Sequence, residues 1–142
     1  MFASAAYSAG PRAAAGAYRQ VHVTTGVDDA SPHRLVGMLF DGLVAALAEA
    51  RGAMRAGNPE LKGRAIGRAV RIVDEGLSAP LNIEKGGTMA VDLRDLYTYI
   101  TLRLTHANLR NDEAALEECT RLIEPLRSAW AGIADRAAGQ AT

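Results

Sequence analysis

The sequence predicts an all-α protein, an antiparallel up-down-up-down four-helix bundle carrying a mobile N-terminal arm. Apolar residues recur at helical spacing through four long stretches. No stretch alternates with period two for more than a few residues, so strands lack support. The joints between the stretches are helix start and stop signals: "ASP", "AGNPE", "NIEKGG" and "RND".

The first helix opens at "ASPHRL", with Ser31 as N-cap and Pro32 at the first helical position, where a missing N–H costs nothing. It runs to about Ala56 and gathers Leu35, Val36, Leu39, Phe40, Leu43, Leu47, Ala50 and Met54 on one core face. Gly57 closes it in a left-handed cap, and Asn58 and Pro59 repeat the start signal, so the second helix is its antiparallel neighbour.

The second helix reads to about Leu81, its last turn loosened by Pro80. Ala65, Ile66, Ala69, Ile72, Val73 and Leu77 form its core face, and Arg64, Arg68, Arg71 and Glu75 its solvated, internally paired side. Thr88 caps a third helix that ends at Asn111, and Asp112 starts the fourth. In the fourth helix Leu116, Cys119, Leu122, Ile123, Leu126, Trp130 and Ile133 make one stripe, with Pro125 away from it and a kink expected there. That helix ends near Arg136. The expected organisation is an arm at 1–30 with an apolar segment at 17–23, a bundle at 31–136 and a tail at 137–142. At 1.5 Å per residue, helices of about 23 to 26 residues span ~35 to 39 Å.

Composition narrows the function classes. Sixteen basic and sixteen acidic residues cancel, so no net field draws the chain to nucleic acid or anionic lipid. A single cysteine excludes a disulfide framework and a CxxC metal pattern, and Cys119, inside an apolar stripe, reads as an inert buried thiol. No apolar run approaches the ~20 residues that cross a bilayer, and the first residues lack a secretory leader pattern, so a cytoplasmic protein without direct membrane insertion is expected.

The third helix departs from the pattern of the others. With Leu93 at zero and about 100° per residue, Met89, Leu96, Tyr97, Ile100, Leu104 and Ala107 cluster near it as a core face. Val91, Tyr99, Leu102 and Leu109 fall at about 160° to 240°, on the opposite side. A bundle cannot bury both. Rimmed by Asp95, Arg103, His106 and Arg110, the second row reads as a groove for an amphipathic helix. The competing readings are incidental exposure of single apolar residues, cover by the arm, whose Tyr18, Val21 and Val23 are apolar groups that a free tail does not need, and a second copy as a homodimer interface.

Catalytic chemistry is not visible. His22, His33 and His106 have no metal-ligand spacing, and the acid pairs Asp28–Asp29, Asp74–Glu75 and Glu117–Glu118 are sequence neighbours that diverge by about 100° on a helix. "KGG" at 85–87 lacks the P-loop order. No enzyme, no metal and no cofactor are expected.

The ordered pieces "AYRQVHVTTGV", "ASPHRLVGMLFDGLVAAL", "IVDEGL", "EKGG", "LRDLYTYITLRLTHANLRND" and "LIEPLRSAW" resemble the flagellin export chaperone family, FliS, from about Tyr18 to Ile133. The resemblance implies a cytoplasmic, non-enzymatic, cofactor-free chaperone of the flagellar type III secretion apparatus. Such a protein binds the disordered C-terminal segment of flagellin, prevents early polymerisation and assists delivery to the membrane-embedded export gate. The family's N-terminal tyrosine segment, which covers a surface groove, maps onto Tyr18, Val21 and Val23; the bulky residue that often stands three positions earlier is Ala15 here. For the partner contact, Val91, Tyr99, Leu102 and Leu109 form the expected groove floor, with Tyr97, His106 and Asn108 as outlying members.

Overall fold

A computed structural model describes residues 31–141, with side chains to residue 133. Tyr18, Val21 and Val23 therefore lie outside the described residues. Four helices follow one another: α1 (Pro32–Arg55), α2 (Pro59–Arg71, continued by a π-helical stretch Ile72–Ser78), α3 (Ile83–Arg110) and α4 (Glu113–Ala141). No strand occurs among the described residues.

Ser31, Gly57, Asn58, Asn111 and Asp112 act as the caps the sequence signals. Ser31 Oγ accepts from Arg34 N–H at 3.2 Å, with Pro32 behind it. At the far end Gly57 takes φ 68°, Asn58 N–H reaches Ala53 O at 2.9 Å and Gly57 N–H reaches Met54 O at 3.2 Å. This pair of bonds uses up the last carbonyls of α1 and reverses the chain in a few residues. Asn58 then caps α2 through Leu61 N–H at 3.1 Å. Asn111 ends α3 in the left-handed region, φ 52° and ψ 44°, which asparagine tolerates better than most residues. Asp112 starts α4, its carboxylate accepting from Ala115 N–H at 3.3 Å.

Three boundaries differ from expectation. The second helix stops at Ser78, short of Leu81, and its last seven residues widen into a π-helix in which Ala79 N–H bonds Asp74 O at 2.9 Å. Pro80 has no N–H for the Gly76 carbonyl, so the chain turns here. The third helix starts earlier, at Asn82, whose side chain accepts from Lys85 N–H at 3.0 Å; the turn that follows breaks at Gly87, φ 56° and ψ −135°, just before Thr88. Helix α4 continues past Arg136 to Ala141 through an alanine-rich stretch with high helix propensity. Its course includes the exposed Pro125.

Cross-helix pairs show the antiparallel order. From α1 to α4 they run Arg55–Glu113, Arg51–Glu117, Asp41–Arg127 and His33–Trp130, one number rising as the other falls. From α1 to α2, Glu49 meets Arg68 and Leu39 meets Gly76. Helix α3 joins α2 through Lys62 and Asn108, and α4 through Ile100 and Cys119. Arg68 thus pairs with another helix and not within its own, while Arg64 and Arg71 stay exposed.

The core holds Leu43, Leu47, Val73, Leu77, Tyr97, Ile100, Leu104, Leu116 and Ile123, all fully buried. Each such side chain contributes roughly 1.5 to 3 kcal/mol of transfer free energy. Val36, Met54, Ile72, Leu96, Leu122 and Leu126 pack against this core half-buried. Gly76 is tight: a Cβ there would meet Leu39 Cδ2 at 3.0 Å, so the lack of a side chain lets α2 approach α1. Met89, expected in the core, is exposed, because helical angle gives direction only and not whether a neighbour stands at that level.

Candidate functional site: the outer face of α3

The inner face of α3 buries Ala90, Leu93, Tyr97, Ile100, Leu104 and Ala107. On the opposite side Tyr99 is 42% exposed, Leu102 65% and Leu109 75%, while Val91 is half-buried. The row from Val91 to Leu109 covers about 27 Å at 1.5 Å per residue. Spacings of three and seven between Tyr99, Leu102 and Leu109 keep these three on one line.

One rim of this row is held by α4. Tyr99 Oη donates to Glu118 Oε2 at 2.7 Å, and Arg103 Nε donates to Glu118 Oε1 at 2.6 Å, so both oxygens of one carboxylate are used. His106 Nε2 lies 3.1 Å from Asp112 Oδ2, and Arg103 approaches the same carboxylate at 3.8 Å. The hydrogen bond from Tyr99, followed by that from Arg103, holds the Glu118 carboxyl below the usual glutamate range. The same bond to Glu118 holds the Tyr99 phenol above its ordinary value.

The other rim is quieter. Thr98, Thr101 and Thr105 hydroxyls donate to the carbonyls of Arg94, Thr98 and Thr101 in their own helix, at 3.0, 2.9 and 2.9 Å. These hydroxyls are spent on the backbone, which lowers the polarity offered beside the apolar row.

Of the site residues expected from sequence, Tyr99, Leu102, His106 and Leu109 share this face, with Val91 at its far end. Tyr97 does not belong to it. At 1% exposure its ring is part of the core, because it sits four positions from Leu93 and so on the inner side. Asn108 is exposed near the α3 C-terminus, and its backbone carbonyl accepts from Lys62 Nζ at 3.0 Å.

Sequence reading missed three groups. Glu118 reads as one of two adjacent acids too divergent to form a dyad, yet it organises the α4 rim from a neighbouring helix. Lys62, 8% exposed, places its ammonium on Asn108 O and Asn111 Oδ1, capping α3 from α2. His33 stacks on Trp130 with ring centroids 4.1 Å apart, Trp130 Nε1 donates to His33 O at 2.8 Å, and His33 Nε2 lies 3.2 Å from Trp130 O. No one-helix pattern signals these, since each contact joins residues distant in the chain.

Elsewhere the chemistry is sparse. Cys119 is buried with Sγ 3.9 Å from Ile100 O, and burial pushes its thiol up to about 11. A cleft of about 530 Å³ opens where the α1–α2 and α3–α4 turns meet, lined by Met54, Arg55, Pro59, Lys62, Asn111 and Glu113 among others. Among the described residues no cluster of three metal-ligating side chains occurs, and no helix is long and apolar enough to cross a membrane.

The chain matches the family model described as flagellar protein FliS over residues 14–137. It is 46% identical over 124 residues to the flagellar secretion chaperone FliS of Salmonella typhimurium, spanning 87% of this chain and 92% of that protein. Identity to the flagellar secretion chaperone FliSB of Pseudomonas aeruginosa is 42% over 116 residues, 82% of this chain and 91% of the relative. With FliS of Escherichia coli it is 40% over 114 residues, 80% and 84% of the two chains. A bundle without a catalytic constellation among its described residues, with an unfilled apolar face, thus coincides with a match along most of the chain: the protein belongs to the FliS family of flagellar secretion chaperones, which are not enzymes.

Proposed function

We propose that this chaperone acts in the cytoplasm by holding the disordered C-terminal segment of flagellin on the outer face of α3. Holding it there keeps the subunit from polymerising and assists its delivery to the membrane protein of the flagellar export gate. The observation that carries this reading is the line of Tyr99, Leu102 and Leu109, large apolar groups exposed together on a helix whose core face is already filled. A disordered segment that folds on such a line buries its own apolar face, at an ordering cost that keeps binding reversible.

The arm is proposed to compete for the same face through Tyr18, Val21 and Val23. Val23 stands eight positions before Ser31, and at ~3.3 Å per extended residue that is a reach of about 26 Å. The α1 start meets α4 at Trp130, and Cys119 meets Ile100, so antiparallel counting puts the arm's exit at the Val91 end of α3.

The test is a titration of a synthetic flagellin C-terminal peptide into the parent protein and into a Tyr99→Ser, Leu102→Ser double variant. The variant keeps its helical content and loses at least tenfold in affinity, a loss of about 1.4 kcal/mol or more. Equal affinity of the two proteins rejects the site. A mass that doubles with concentration, with no peptide bound, identifies the face as a homodimer interface instead.

A further inference from the structure

Beyond Gly87, α3 carries Asp92, Arg94, Asp95, Arg103, His106 and Arg110. Four of these are engaged: Arg94 with Asp95 at 3.7 Å, Arg103 with Glu118 at 2.6 Å, and His106 with Asp112 at 3.1 Å. Asp92 and Arg110 have no hydrogen-bond or ion-pair partner among the described residues, and both are exposed. They are eighteen positions apart, which at 3.6 residues per turn is five whole turns, so they point the same way about 27 Å from each other. Tyr99 and Arg103, seven and eleven positions after Asp92, fall on the same line.

One edge of the apolar row is therefore pinned in its middle by Glu118 and ends in two free charges of opposite sign. We infer that these charges set the direction of docking. An amphipathic helix of the flagellin segment lies on α3 with its N-terminal end over Asp92 and its C-terminal end over Arg110, parallel to α3. This rests on the proposed peptide site and adds an orientation to it. A helix presents roughly half a positive charge at its N-terminus and half a negative charge at its C-terminus. In the parallel direction both ends face an opposite charge, and in the antiparallel direction both face a like one. Arg110 in the last turn suits the dipole of α3 itself, and Asp92 is exposed five residues past the break at Gly87, so keeping them unpaired costs the fold little.

The experiment is charge reversal with rescue from one end, read by titration calorimetry at low ionic strength. The probes are flagellin C-terminal peptides with a single Arg or Glu added at either end of the helical stretch. Arg110→Glu is expected to weaken binding of the unmodified peptide about fivefold, the scale of an exposed ion pair. An Arg at the peptide's C-terminal end restores it, and an Arg at the N-terminal end does not. Asp92→Lys behaves as the mirror case, restored by Glu at the N-terminal end. Circular dichroism identical to the parent's keeps the comparison on binding. Rescue from the opposite end, or affinity indifferent to both reversals, overturns the direction while leaving the site intact. A parent protein that binds none of the peptides removes the site itself, and the orientation falls with it.

Discussion

The two faces of α3 are made of nearly the same residues and meet opposite fates. Leu93, Tyr97, Ile100 and Leu104 are buried, while Tyr99, Leu102 and Leu109 stand in solvent. Two tyrosines two positions apart show the contrast best: the Tyr97 ring fills the bundle, and the Tyr99 ring lies on its surface, tied by its hydroxyl to Glu118. Hydrophobic character alone does not separate the buried residues from the exposed ones. Position on the helix does.

The contrast is broken most directly by matched truncations. Leu104→Ala removes a fully buried side chain and is expected to cost about 2 to 5 kcal/mol in urea unfolding. Leu102→Ala, two positions away on the exposed side, stays within about 0.5 kcal/mol of the parent. Similar losses at both positions would mean that the outer face is covered in the free protein.

A smaller effect is expected at Lys62, which joins the two sides from α2. Lys62→Met keeps most of the stem but deprives Asn108 O and Asn111 of their donor. The expected loss is roughly 1 to 3 kcal/mol in the same assay, the cost of leaving such groups unpaired. Amide exchange should quicken first in the last turn of α3. Uniform change across the bundle would argue against a local cap.

The smallest effect concerns Glu118, whose carboxyl is held below its ordinary range first by Tyr99 and then by Arg103. A carboxyl depressed in the folded state adds stability above its unfolded pKa, near 4.5, and that contribution disappears as pH falls through the folded value. Tyr99→Phe should move the Glu118 titration, followed by carboxyl NMR, back toward the ordinary value. It should also flatten the acid limb of the stability curve slightly. An unmoved titration would show that the hydroxyl does not hold the rim.

Most of the bundle was legible in the chain because its signals are local. Ser31, Gly57, Asn58, Asn111 and Asp112 act on neighbours within a few residues, and periodicity assigned the core leucines. The second row of α3 was legible for the same reason, since angle on one helix is enough to set Leu102 against Leu104. What escaped was either contact across helices or presence of a neighbour at a given height. Glu118, Lys62 and His33 owe their roles to residues far away in sequence, and Met89, on the core side by helical angle, is left exposed. Tyr97 shows the limit from the other side, because residue type invites a surface contact that its angle forbids.

Gly87 carries one more consequence. Its backbone, φ 56° and ψ −135°, is the mirror image of an ordinary extended conformation, and a Cβ added there would meet nothing within 4 Å. The site therefore has room for a Cβ and disfavours L-residues through chirality. A D-alanine introduced by chemical synthesis would find its own comfortable basin at this joint. The bend between the Ile83 turn and the long run of α3 is, in that sense, a stereochemical instruction to the chain and not a demand for small size.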